Sequence, residues 1–267
     1  MRYLLLALPL FLVRDLNAQD LVASCRRMDS LNTAILLQKI PRAAAAARFR
    51  QLMGEIAVEA PRAVAAAAGS ARPAAAPPAG ASRPAAAAPH PAASPAAPIW
   101  DFPLRGYTYR AIGGTNGNGY SDKGYRYLDG NAHLAHPAHD IFITDKDQDQ
   151  MDDRTGKPVD VLAVEDGVVI ACCDTWDVHS PLRGGRYIWL YHPKSGLLTY
   201  YAHNRMILVA PGGVVRQGQK IAEVGRTGFN AYPHRSPTHL HFSSFRLVDG
   251  LPVPFNGYDL LKKAKTI

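Results

Sequence analysis

Apolar positions recur with a near-helical period only near the start of this chain, and alternate with polar ones over much of its C-terminal part. Good helix formers flank Pro41 between residues 30 and 58, and the alanines from Ala43 to Ala47 propagate a helix readily. Phe49, Leu52, Met53 and Ile56 add an apolar stripe of roughly helical spacing. Pro41 itself breaks or kinks the run. The pattern predicts a helical N-terminal segment over residues 19–58, able to pack on a neighbouring domain or to act as a spacer. From residue 59 to 98 the chain is almost entirely Ala, Pro, Gly, Ser and Arg, without an aromatic residue. Such a tract cannot bury a core and reads as a disordered linker.

Beyond Trp100 the pattern is that of strands. Pro158 to Cys173 holds two short β-rich runs split by Asp166-Gly167, a strong turn signal. R-Y-I-W-L-Y (186–191) and L-L-T-Y-Y-A (197–202) flank H-P-K-S-G like the arms of a hairpin. In T-H-L-H-F-S-S-F-R-L, His239, His241, Ser243 and Phe245 share one face, and Leu240, Phe242, Ser244 and Arg246 the other. No long helical period occurs between Trp100 and Tyr258. Residues 99–267 are therefore expected to form one all-β domain, a mostly antiparallel sheet, long enough to hold its own core.

Charge and cysteine content refine this picture. Of the formal net charge of +8, residues 1–98 contribute most, with 11 Lys or Arg against 5 Asp or Glu. That region is the candidate for electrostatic contact with anionic wall polymers, membrane lipids or nucleic acid, or for a merely soluble linker. The β domain lacks a basic stripe interleaved with stacking aromatics, so specific nucleic-acid binding is not expected. Cys25, Cys172 and Cys173 form no disulfide framework and no soft-metal motif. Met1-Arg2, the apolar run to Val13 and L-N-A-Q around Ala18 have the form of a signal peptide over residues 1–18. The chain is thus expected to be exported, to the periplasm or cell envelope. V-A-S-C, ending at Cys25, resembles a lipoprotein processing site but stands far from the apolar run, so simple export is favoured over a lipid anchor.

The chemistry concentrates in H-P-A-H-D (136–140), Y-A-H-N (201–204) and H-L-H (239–241). Residues two apart on a strand point the same way, so His239 and His241 present neighbouring imidazoles to one cleft. Two imidazoles and a carboxylate can hold a zinc ion with a position left open for water. His133 and His139 are spare donors beside His136 and Asp140. Tyr125 and Tyr201, from two Tyr-rich stretches, are candidates to line a groove and bind peptide carbonyls.

The motifs come in an order that resembles the lysostaphin-type, or LytM-type, zinc endopeptidases, which cleave peptide bridges or stems of bacterial peptidoglycan. H-x-x-x-D is followed by G-K-P-V-D-V-L-A-V-E-D-G-V-V from Gly156, then Y-A-H-N, then G-Q-K-I-A-E-V-G-R-T-G from Gly218, then H-L-H-F-S. The resemblance implies His136, Asp140 and His241 as ligands of one zinc ion and His203 and His239 as non-ligand catalytic histidines. It implies a peptidoglycan peptide as substrate. Two other readings of the same fold stand beside it: an inactive wall-binding or amidase-activating module, and a zinc peptidase with a protein substrate. Ala138, His139 and Asn204 depart from the usual pattern. The acidic insert D-K-D-Q-D-Q-M-D-D at 145–153 is a candidate rim of the substrate groove, a site for a hard cation such as calcium, or a solvated turn.

Overall fold

The computed structural model describes residues 11–70 and 99–267. Residues 1–10 of the expected signal peptide and residues 71–98 of the expected linker lie outside the described residues. Two helices lead, α1 (Phe11–Leu36) and α2 (Arg42–Ser70), separated by the break at Pro41. α2 does not stop near residue 58 but runs on to Ser70, with Pro61 inside it. Two things extend it. The Ala-rich sequence is a strong helix former, and Ala60 is fully buried while Ala63 and Val64 pack against the domain. No helix among the described residues is long and apolar enough to cross a membrane.

The strands are β1 (His139–Phe142), β2 (Asp160–Leu162), β3 (Gly167–Cys173), β4 (Arg186–His192), β5 (Leu197–Ile207), β6 (Val214–Val215), β7 (Lys220–Val224), β8 (His239–Val248) and β9 (Leu251–Pro254). A short helix, α3 (Tyr258–Lys263), follows. All named strand pairings are antiparallel, in the order β1-β8-β5-β4-β3-β6, with β9 on β8 and a branch in which β7 joins β5 to β2. This is the expected all-β class. β4 and β5 form the expected hairpin. The Asp166-Gly167 turn does not close one, because β2 pairs with β7 whereas β3 pairs with β4 and β6. That turn instead carries the chain from the small branch to the main sheet.

Strand alternation sorts the apolar side chains into two cores. On one side Trp100, Phe102, Ile141, Val161, Tyr201, Leu240 and Phe242 pack in a dry layer closed by β2 and β7. On the other, Ile170, Tyr187, Trp189, Leu198 and Phe245 meet Cys25, Met28, Ile35, Phe49 and Ile56 of the helical hairpin. The helices are therefore part of the domain and not a detached spacer. Polar contacts fix them there: Asn32 bridges the hydroxyls of Tyr187 and Tyr127 at 2.9 Å each, and Asp29 accepts the N–H of Cys172 at 2.9 Å. At Gly130, in left-handed backbone (φ +52°), a Cβ would stand 2.4 Å from the carbonyl oxygen of Ile35, so only glycine lets this loop meet the end of α1.

Candidate active site

Sheet register does most of the assembly. Asp140 on β1 stands opposite His241 on β8, and Ala202 on β5 flanks His241 from the other side. His239 lies two residues before His241 on the same strand face and pairs with Phe142. His203 needs an extra device. Strict alternation from Tyr201 would send its ring into the dry core, but His203 has a left-handed backbone (φ +67°) within β5. The break in alternation turns the ring towards the cleft, where it lies 5.0 Å from the ring of His239 and 5.4 Å from that of His241. A non-glycine residue in that region is strained, and such strain collects at functional sites.

His136 enters from the loop before β1. Its Nε2 is 3.2 Å from Asp140 Oδ1, and His241 Nδ1 is 3.1 Å from the same oxygen. Donor atoms of these three side chains lie within 4.8 Å of one another, close enough to hold one metal ion. His239 Nε2 stands 3.7 Å from Asp140 Oδ1. Each supporting ring is oriented through its other nitrogen. Nδ1 lies 3.0 Å from the Gly119 carbonyl oxygen in His136, 2.7 Å from that of Thr227 in His203 and 2.8 Å from that of Pro237 in His239. A ring whose Nδ1–H is given to a carbonyl presents a lone pair at Nε2, the arrangement that suits metal ligation or proton transfer.

The electrostatics follow from this crowding. Burial pushes the Asp140 carboxyl upward, but hydrogen bonds from His136 and His241 outweigh it and hold the group well below the usual carboxylate range. The hydrogen bond to Asp140 raises His136 above the ordinary imidazole value in spite of burial. Burial lowers His203 and His241, and for His203 the neighbouring imidazoles add to the effect.

The rings open into a cleft of about 120 Å³ whose lining includes His136, His203 and His241 together with Tyr125, Tyr200, Arg183 and Asn230. Tyr125 thus lies where a groove-lining role requires. Tyr201 does not. It is fully buried on the closed side of the sheet, its hydroxyl accepting the N–H of Val164 at 3.1 Å and lying 3.3 Å from Thr199 Oγ1. The tyrosine that alternation sends to the cleft is its neighbour, Tyr200. The spare donors stand outside the ligand cluster: His139 is buried against Tyr120 with Nε2 3.0 Å from Asn256 Oδ1, and His133, which also lines the cleft, has Nδ1 3.1 Å from the Ala135 carbonyl oxygen and packs edge-on to Tyr125. Sequence reasoning missed Arg183. Its one signal is P-L-R-G-G-R, whose paired glycines bring backbone close to His203.

In the acidic insert the carboxylates of Asp145, Asp147 and Asp149 also converge. Asp145 is buried and anchors the loop, accepting the hydroxyl of Thr238 at 2.5 Å and the N–H groups of Asp149 and Gln150. Thr238 in turn accepts from Arg226 at 3.0 Å, so the insert braces the residue before His239. Part of the basic charge of the N-terminal region is spent internally: Arg27, Arg42 and Arg62 pair with Glu55, Asp129 and Glu59.

The fold and the placement of the histidines define a groove-bearing antiparallel domain. Residues 150–253 match the model of Peptidase family M23. The matched stretch contains His203, His239 and His241 but not His136 or Asp140, which β1 brings in from outside it. Among solved structures, a LytM from Ruminococcus gnavus aligns at 25% identity over 40% of this chain and 41% of its own, with a TM-score of 0.34. A zinc-containing peptidase from Vibrio cholerae aligns at 24% over 64% and 41%, with a TM-score of 0.35. The catalytic domain of lysostaphin from Staphylococcus simulans aligns at 21% over 50% and 82%, with a TM-score of 0.34. The chain thus spans about two fifths of the length of the first two. No curated protein matches it.

Proposed function

We propose that this protein is an exported, zinc-dependent endopeptidase that hydrolyses peptide bonds in the stems or cross-links of bacterial peptidoglycan. The observation that carries the reading is the convergence of His136, Asp140 and His241 on one point, with the rings of His203 and His239 beside it and a cleft lined by His136, His203 and His241. The donor set fits zinc: two neutral imidazole nitrogens and one carboxylate oxygen, with the His136 ring held from behind by the Gly119 carbonyl. A zinc ion held there supplies Lewis acidity towards a peptide carbonyl and lowers the pKa of water. The chain's own residues supply the rest. Asp140 offsets part of the ion's charge. Nε2 of His203 and Nε2 of His239 are the atoms at which a proton is taken from attacking water and returned to the departing amine, and at which a developing oxyanion finds a donor. The motif series and the family match support a peptidoglycan peptide as substrate.

Export rests on the basic-then-apolar start of the chain. Attachment of lipid at Cys25 is not proposed, since that thiol is fully buried between α1 and the sheet. The test is incubation of the purified protein with zinc and with isolated peptidoglycan, followed by counting of new amino groups and weighing of products. One bound zinc per chain and chelator-sensitive release of amino groups are expected. A folded protein that binds no zinc and releases nothing would instead be a wall-binding or amidase-activating module. Intact peptidoglycan beside a cleaved protein would move the substrate class.

A further inference from the structure

Arg183 is a partly buried cation in the same cleft as His136, His203 and His241. Its position is fixed rather than adaptable. One guanidinium nitrogen, Nη1, donates to the carbonyls of Asn131 at 3.0 Å and His133 at 2.9 Å. Its own carbonyl accepts the N–H of Phe229 at 3.0 Å, and the carbonyl of the next residue, Gly184, accepts the N–H of His203 at 2.9 Å. The loop that carries the guanidinium is therefore stitched to the backbone of His203. Its charge, by contrast, is not answered. Arg27, Arg42, Arg105, Arg154 and Arg205 each pair with an acid, but among the described residues Arg183 has no carboxylate partner. Asp140, the carboxylate at the metal-ligand cluster, is engaged by His136 and His241. Nε and Nη2 of Arg183 thus have no hydrogen-bond acceptor among the described residues.

A guanidinium held in place with two donors unspent matches the planar geometry of a carboxylate better than any neutral peptide group. We propose that Arg183 is a specificity-determining residue that receives a free carboxylate of the substrate near the scissile bond. Resting on the peptidase reading above, this narrows the substrate class to peptides that carry such a carboxylate, as against uncharged bridges or stems whose carboxylates are amidated.

The experiment compares stem peptides that differ only in whether the carboxylate beside the cleaved bond is free or a carboxamide, with zinc-loaded wild type, Arg183→Lys and Arg183→Gln. Wild type is expected to favour the free carboxylate by about 10- to 100-fold in kcat/KM, chiefly through KM, as a charge-assisted hydrogen bond predicts. Arg183→Gln brings the two rates together and Arg183→Lys keeps part of the ratio. A selectivity that persists in Arg183→Gln, or that wild type lacks, overturns the assignment. Simple weakening of the loop would lower both rates and leave their ratio unchanged. The same peptides are also titrated calorimetrically against each protein. If nothing is hydrolysed, the peptidase reading fails, but a binding preference for the free carboxylate that Arg183→Gln abolishes still supports the proposal. Equal binding of the two peptides sinks it.

Discussion

Two groups of imidazole and hydroxyl side chains lie on opposite sides of one sheet, and they have opposite fates. On the closed side His192 is fully buried, with Nδ1 3.1 Å from the Asp166 carbonyl and Nε2 2.7 Å from Thr199 Oγ1. Thr199 continues to Tyr201, and Tyr201 to the N–H of Val164, so each polar atom along the chain is spent. On the open side His136, His203 and His239 spend Nδ1 on a backbone carbonyl and leave Nε2 facing other imidazoles or Asp140. Burial alone does not separate the two groups, since His203 and His239 are only 5% and 3% exposed. What separates them is the second nitrogen. A ring with both nitrogens engaged by neutral partners is mortar; a ring with one left over and turned to the cleft or the Asp140 cluster is chemically available.

The strongest way to break this contrast is to remove a proposed ligand. His241→Ala or Asp140→Ala should abolish stoichiometric zinc and reduce hydrolysis by about 10⁴-fold, because the ion supplies several kcal/mol of barrier lowering. His192→Gln should leave zinc content unchanged. Metal analysis of the purified proteins decides the point, and zinc retained in full by His241→Ala would refute the ligand set. A smaller effect distinguishes rings within the open group. His239→Ala and His203→Ala are each expected to keep the ion while losing about 10²- to 10⁴-fold in kcat, the usual contribution of a positioned acid or base. Near-normal turnover in either variant would remove that ring from the proposed chemistry.

Much of this was legible in the order of residues, but unevenly. The spacing of His239 and His241 on an alternating strand foretells their common face, and the structure gives that face to the cleft. His203 could not be placed by the same rule. Alternation puts it with Tyr201, and only the left-handed turn of its own backbone reverses this. Nothing in Y-A-H-N announces that turn; the motif resemblance implied a role for the residue without a local geometry. The same rule cannot say which of two adjacent tyrosines faces the groove, because it fixes opposition but not direction. Direction is set by β5 pairing with β8 and by the helices covering part of one face. Arg183 was illegible because its significance lies in a missing partner, and an absent acid leaves no mark on the sequence. The extension of α2 past residue 58 was hidden by composition, which reads Ala and Pro as linker until Ala60 is seen buried.

The closed group carries its own prediction in pH. Burial holds His192 down at about 4, against about 6.5 for an unfolded imidazole. Between those values the unfolded chain binds the proton and the folded one does not, so stability is present in full above about pH 6.5 and is lost as pH falls towards 4. The span implies a loss of roughly 3 kcal/mol at the acid end. His192→Gln removes this part of the acid sensitivity, whatever the carboxylates contribute. Denaturant unfolding of both proteins from pH 7 to pH 4 measures the difference, and parallel curves would show that His192 is not held neutral.

The finest comparison sets Tyr200 against its neighbour. Tyr201→Phe deletes the hydroxyl that takes the Val164 N–H, leaving a buried donor unsatisfied at a cost of about 1–3 kcal/mol. Its distance from the cleft predicts an unchanged kcat/KM at temperatures where the variant is folded. Tyr200→Phe removes a hydroxyl that has no hydrogen-bond partner among the described residues, so stability should stay within about 0.5 kcal/mol. Because Tyr200 lines the cleft, with its ring 6.1 Å from that of His241, any change there should appear in KM instead. Paired unfolding and kinetic measurements thus read one atom on each side of the sheet. A kinetic defect in Tyr201→Phe without a stability loss would mean that the closed face communicates with the cleft, and that the division between mortar and chemistry is drawn in the wrong place.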